Sequence, residues 1–143
     1  MKQVVIDASI ILKWYLIDEE DSQKAIGLLQ LYISNELEIL APSLLEYEIV
    51  NGLIIAQRRG RIKEEKLHTA IEGFLNLEIK LRTLSFISQS ILHYCKVYNC
   101  SAYDASYLAV AENNGAPLIT ADARLYNMVK KDLKWIKWLG DIL

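Results

Sequence analysis

Cysteine, histidine and proline each occur only twice in this chain of 143 residues. Cys95 and Cys100 lie close together without a CxxC spacing or partner ligands. That argues against a disulfide framework and a zinc site, and leaves two reduced, largely structural thiols, with a redox or crosslinking role as the alternative. His68 and His93 are isolated, which excludes catalysis built on several histidines. No apolar run approaches the ~18 residues a membrane span needs. The first apolar run ends in Asp7, without the basic, apolar and small-residue succession of a signal peptide, so a cytoplasmic protein away from membranes is expected. Repeats, low-complexity tracts and linkers rich in Pro, Gly or Ser are also missing, and residues 1–143 are expected to form one domain.

What is present is a globular composition, 52% hydrophobic and 24% charged. Short apolar runs alternate with longer helical patterns. Val4–Ile6 reads as a buried strand, followed by a short helix through Leu12 and Trp14 and a second helix from Asp21 to Ile33. A brief strand at Glu38–Leu40 leads into a helix running from Pro42 to Gly60. Residues 64–75 form an amphipathic helix, with Leu67, Ala70, Ile71, Phe74 and Leu75 on one side. A strand at Glu78–Leu81 and a helix at Ser85–Tyr98 follow. The "SAYDASYLAVAENNG" helix, the "PLIT" strand, the "ADARLYNMV" helix and a "KWIKW" edge strand complete the chain. This order predicts an α/β fold of three layers, α/β/α, with a mostly parallel central sheet of about four or five strands. Open sheets of this kind carry their sites at the C-terminal edge of the strands.

Four carboxylates are out of place for surface acids. Asp7 ends the first strand and Asp122 ends "PLITAD" in the same way. Taken singly, each is best read as a helix N-cap, although one oxygen can cap while the other binds. Glu48 shares its helix side with Leu45 and Gly52, and Ile55 continues that stripe, whereas Glu46 points elsewhere. Asp104 shares a face with Tyr107, Leu108 and Ala111, near a helix start where the dipole favours an acid. Burying several carboxylates together is strongly unfavourable without a counter-charge. A hard divalent cation removes the difficulty, because Mg²⁺ and Mn²⁺ take oxygen ligands and are held by a few carboxylates. The chemistry suited to such a site is phosphoryl transfer by an activated water. Acids at strand ends also occur in receiver domains and dehalogenase-like phosphatases. The phosphatases expect a second Asp where Ser9 stands, and both usually want a Lys that does not follow Thr120. A pocket that only binds a cation or a partner is a further alternative.

The pieces "VVIDASIILKWYL", "APSLLEYEIVNGL" and "AYDASYLAVAENNGAPLITAD", with "RL" just after, resemble the PIN-domain family of ribonucleases in their order. More narrowly, they resemble the VapC-type toxins of toxin–antitoxin modules. The resemblance covers most of the chain, with residues 60–100 poorly constrained. It implies that Asp7, Glu48, Asp104 and Asp122 are the catalytic, metal-holding acids, with Ser9, Asn51 and Thr120 in support. It further implies an endoribonuclease dependent on Mg²⁺ or Mn²⁺, a homodimer, and a small antitoxin that covers the active-site groove. A PIN nuclease of RNA processing outside toxin–antitoxin systems is the alternative within the family.

The net charge of −2 does not announce a nucleic-acid binder, but local charge matters more than the total. Arg58, Arg59, Arg61 and Lys63 form a compact basic stretch that could contact RNA or antitoxin, or simply complement a helix end. Trp135 and Trp138 are expected to pack at the core or sheet edge rather than stack on bases. Trp14 and Tyr15, which follow Asp7 closely, are expected near the site or the antitoxin groove.

Overall fold

A computed structural model describes residues 2–143. The chain runs β1 (Lys2–Ile6), α1 (Ala8–Tyr15), α2 (Ser22–Ile33), β2 (Leu37–Pro42), α3 (Leu44–Arg58), α4 (Glu64–Asn76) and β3 (Lys80–Arg82). It continues through α5 (Leu84–Tyr98), α6 (Ala102–Asn114), β4 (Leu118–Thr120), α7 (Ala123–Val129) and β5 (Ile136–Trp138), and ends in a 3₁₀ turn at Leu139–Asp141. The five strands make one parallel sheet in the order β3-β2-β1-β4-β5. The expected α/β/α architecture and strand count are therefore observed.

Continuous apolar runs suit strands covered on both faces. Val5, Ile6, Ile39, Leu40 and Leu118 are fully buried at the sheet centre. Right-handed crossovers place α1–α4 on one face and α5–α7 on the other. The packing agrees, with α1 against α2 and α3, α3 against α4, and α5 against α6. The sheet grows outward in one direction from β1 to β3 and in the other from β1 to β5. The crevice between β1 and β4 is thus the switch point where open sheets bind ligands. Ile6 pairs with Ile119, so the next step of the register brings Asp7 beside Thr120.

Two local features bring helices to that crevice. Helix α3 approaches α1 closely at Gly52, where a Cβ would sit 2.7 Å from a terminal methyl carbon of Leu12. Helix α6 is buried on nearly all sides from Ala105 to Ala111 because its small residues let it lie against β1 and β2. It stops at Gly115, whose φ of 58° is the left-handed conformation glycine adopts cheaply.

Three side chains depart from expectation. Trp14 is buried in the core, with its Nε1 donating to the Ala25 carbonyl at 2.7 Å, so it locks α1 to α2. Ile55 and Leu75 are exposed: the buried row of α3 runs Leu45, Ile49, Leu53, Ala56, and α4 turns Ala70 and Phe74 inward instead. The C-terminal tryptophans pack as expected, with Trp138 tilted against Tyr126 at 5.5 Å and Trp135 half-buried against the core.

Candidate functional site

Asp7 lies at the end of β1 with only 5% of its surface exposed. It occupies the N-cap position of α1, yet its carboxylate makes no capping hydrogen bond. Both oxygens are taken by hydroxyls instead. Ser9 Oγ donates to Oδ1 at 2.5 Å, and Thr120 Oγ1 donates to Oδ2. Each hydroxyl also accepts an N–H from the β4–α7 turn, Ser9 from Ala121 and Thr120 from Asp122. Two small polar side chains therefore clamp the end of β1 to the end of β4. Burial pushes the Asp7 carboxyl up to about 6, opposed by the two hydroxyl bonds and reinforced by the charges of Asp122 and Glu48.

Glu48 comes in from α3, half-buried beside the apolar row. Tyr107 of α6, itself buried, donates its hydroxyl to Glu48 Oε1 at 2.5 Å. Burial raises the Glu48 pKa, the Tyr107 bond opposes that rise, and the charges of Asp104 and Asp122 add to it. Burial and then the Glu48 charge hold the Tyr107 phenol well above its usual range, so it stays a donor.

Asp104 sits in the first turn of α6, where its backbone N–H is taken by the N-cap Ser101 at 3.1 Å. Asp122 caps α7, its Oδ1 accepting from the N–H groups of Arg124 at 3.0 Å and Leu125 at 3.3 Å. The Arg124 guanidinium joins these two acids. It reaches Asp104 Oδ2 at 2.9 Å and Oδ1 at 3.2 Å, and the remaining Asp122 oxygen at 3.4 Å.

All four acids thus meet at the switch point, close enough to act on one another electrostatically. They offer only oxygen donors, the donor set a hard divalent cation takes, and buried Asp7 and half-buried Glu48 have raised pKa values. Among the described residues, no three acid, histidine or cysteine side chains converge on a chelating point as they stand. Each acid is instead held by donors of its own chain.

Of the other residues singled out, Ser9 and Thr120 touch Asp7 directly. Asn51 is one turn beyond Glu48 on α3, exposed and without a side-chain hydrogen bond among the described residues. The basic stretch divides. Arg61 is engaged by Asp18 at 3.0 Å and Glu19 at 3.1 Å, tying the α3–α4 turn to the segment before α2. Arg58, Arg59 and Lys63 are exposed and form no ion pair among the described residues. Tyr107 and Arg124 were not signalled as site residues by sequence. The available signal for Tyr107 was a phenol on a buried helix face, whose hydroxyl needs a partner. For Arg124 it was a cation in the turn that Asp122 opens.

The PIN domain family model matches residues 4–131. Ribonuclease VapC3 of Pyrobaculum aerophilum is 28% identical over 125 residues, covering 86% of this chain and 92% of that protein. Ribonuclease VapC9 of Mycobacterium tuberculosis is 31% identical over 122 residues, covering 85% and 87% respectively. Among solved structures, PAE2754 of Pyrobaculum aerophilum superposes with a TM-score of 0.65 at 23% identity, over 97% of this chain and 92% of that one. VapC20 of Mycobacterium tuberculosis, a toxin that cleaves the sarcin–ricin loop, gives a TM-score of 0.62 at 13% identity over 88% and 95%. With the family model spanning nearly the whole described chain and a fold to match, this chain belongs to the PIN-domain family.

Proposed function

We propose that this chain is an endoribonuclease, the toxin of a toxin–antitoxin pair, which hydrolyses RNA phosphodiester bonds with Mg²⁺ or Mn²⁺. Asp7, Glu48, Asp104 and Asp122 are its metal-holding, catalytic acids. The observation that carries the reading is the meeting of these four carboxylates at the β1/β4 switch point of a PIN-family chain. The curated relatives it matches over most of its length are ribonucleases by name, which supports the activity. A structural neighbour from Klebsiella pneumoniae is a toxin–antitoxin complex and points in the same direction.

Asp7, Glu48, Asp104 and Asp122 would hold a divalent ion, which would supply Lewis-acid polarisation of the scissile phosphate and lower the pKa of the attacking water so that it can give up its proton. The chain's own residues supply the rest. Ser9 and Thr120 fix both Asp7 oxygens, and Tyr107 fixes Glu48, so that two acids face the crevice in set positions. Asn51, Arg58, Arg59 and Lys63 are exposed and free to meet RNA or antitoxin.

On this reading residues 1–143 fold as one domain and act in the cytoplasm, where the RNA is. Among the described residues no helix is long and apolar enough to cross a membrane. A homodimer is expected, supported by an apolar groove whose rim exposes Tyr47, Leu84 and Tyr103, with Phe86 nearby. The test is cleavage of cellular RNAs, with cut sites mapped, in Mg²⁺, Mn²⁺ or EDTA, alongside Asp7→Asn. Discrete cuts that vanish in EDTA and in the variant are expected. Undiminished cleavage in either overturns the reading.

A further inference from the structure

Arg124 is the one basic side chain that ion-pairs with any of the four acids among the described residues. One Asp122 oxygen is committed to capping α7. The three oxygens that Asp104 and Asp122 leave uncommitted to backbone are all on this single guanidinium, at 2.9, 3.2 and 3.4 Å. An ion that draws on this half of the site competes with Arg124 for those oxygens. The arginine is poorly anchored otherwise. Its side chain is 65% exposed and makes no other hydrogen bond among the described residues, so leaving breaks only the ion pairs.

We propose that Arg124 is a resident counter-cation that competes with the divalent ion for Asp104 and Asp122. Once displaced, its guanidinium takes a phosphate oxygen of the RNA. The inference rests on the reading of the acids as a cation and RNA site. The planar fork that fits a carboxylate fits a phosphate equally well, and Arg124 stands at the rim where a backbone phosphate would arrive. Metal and RNA binding are then coupled: each ion that enters frees a phosphate ligand, and each phosphate that holds Arg124 clears the acids for the ion.

The test is Mn²⁺ binding to the full chain by calorimetry, comparing wild type with Arg124→Gln. Losing one exposed competitor should tighten Mn²⁺ binding by roughly two- to fivefold. A second arm measures binding of an uncleavable 2′-O-methyl RNA with Mn²⁺ present, where the variant should bind more weakly. If Arg124→Gln fails to fold, Arg124→Lys keeps the charge but loses the fork, and a smaller tightening is expected from it. Equal or weaker Mn²⁺ binding in the variant overturns the inference and makes Arg124 a residue that merely orients Asp104. Tighter Mn²⁺ binding with unchanged RNA affinity overturns the phosphate role. Absence of Mn²⁺ binding by wild type brings down the underlying reading of the site as well.

Discussion

The two halves of the acidic crevice are held in opposite ways. Asp7 and Glu48 are drawn into the fold and bonded by neutral hydroxyls from Ser9, Thr120 and Tyr107. Asp104 and Asp122 are partly exposed and are bonded by a charged guanidinium. A neutral donor satisfies an oxygen's lone pair but leaves the carboxylate's charge uncompensated; a guanidinium cancels it. In the inner half the cost of burial therefore persists as raised pKa values, whereas the outer half is neutralised from within the chain. On the proposed reading the uncompensated charge of the inner acids would attract a cation, and Arg124 would compete with that cation at the outer acids.

Breaking the inner half should have the largest consequence. Asp7→Asn keeps the shape of the side chain and removes its charge. RNA cleavage is expected to fall by at least about 1,000-fold, more than the ~10–100-fold usual for residues that only support a metal ligand. The same substitution should stabilise the protein in EDTA at neutral pH, because it removes a buried charge. A variant that cleaves normally would remove Asp7 from the chemistry.

The next effect is the pH dependence of that stability. Asp7 has a native pKa of about 6 against a usual 3.8, so the folded state holds its proton more tightly than the unfolded chain. Its stabilising contribution is complete below about pH 4 and is lost as pH rises through 6, a change of about 3 kcal/mol. Denaturant titrations in EDTA from pH 4 to 8 isolate it as the difference between wild type and Asp7→Asn. The variant's advantage should grow from pH 4 through about 6 and level off above that. A pH-independent difference would mean that Asp7 is not carrying an uncompensated charge.

The contrast also separates what could be read from the sequence from what could not. Strands and helices were legible because β-branched runs such as Val4–Ile6 alternate with amphipathic stretches, a local property of the chain. The acids were legible because a carboxylate ending a strand, or sharing a helix side with Leu45 or Leu108, is out of place wherever the chain goes. Their donors were not. Tyr107 reads as a core aromatic until α3, 59 positions away in sequence, brings Glu48 to its hydroxyl. Arg124 reads as a helix-surface cation until α6 delivers Asp104. Arg61 reads as a contact for RNA or antitoxin, or as the complement of a helix end, until tertiary packing hands it Asp18 and Glu19. Trp14 was placed near the site by its distance from Asp7 along the chain, but the turn of α1 aims it at α2.

A smaller effect is expected from Tyr107→Phe, which leaves Glu48 buried without its donor. Cleavage should fall by roughly 10–100-fold, the cost typical of a residue that orients a ligand. Because the Tyr107 bond opposes the rise in the Glu48 pKa, its loss should push that pKa higher. The acid limb of the pH–rate profile should then move to higher pH. An unchanged limb with a uniform loss of rate would assign Tyr107 to packing alone.

The smallest effect sharpens the comparison most directly. Double-mutant cycles on metal-free stability can measure the Asp104–Arg124 and Glu48–Tyr107 couplings separately. The first is an ion pair with a 65% exposed arginine, worth no more than about 1 kcal/mol in solvent of high dielectric. It should shrink as salt is raised, since exposed charges are screened over the ~10 Å Debye length at 0.1 M. The second joins a buried, neutral phenol to a half-buried carboxylate, so it is no charge pair and should be nearly insensitive to salt. If both couplings fell together, the inner acids would be as open to solvent as the outer ones. The buried charge that gives the site its pull on a cation would then not exist.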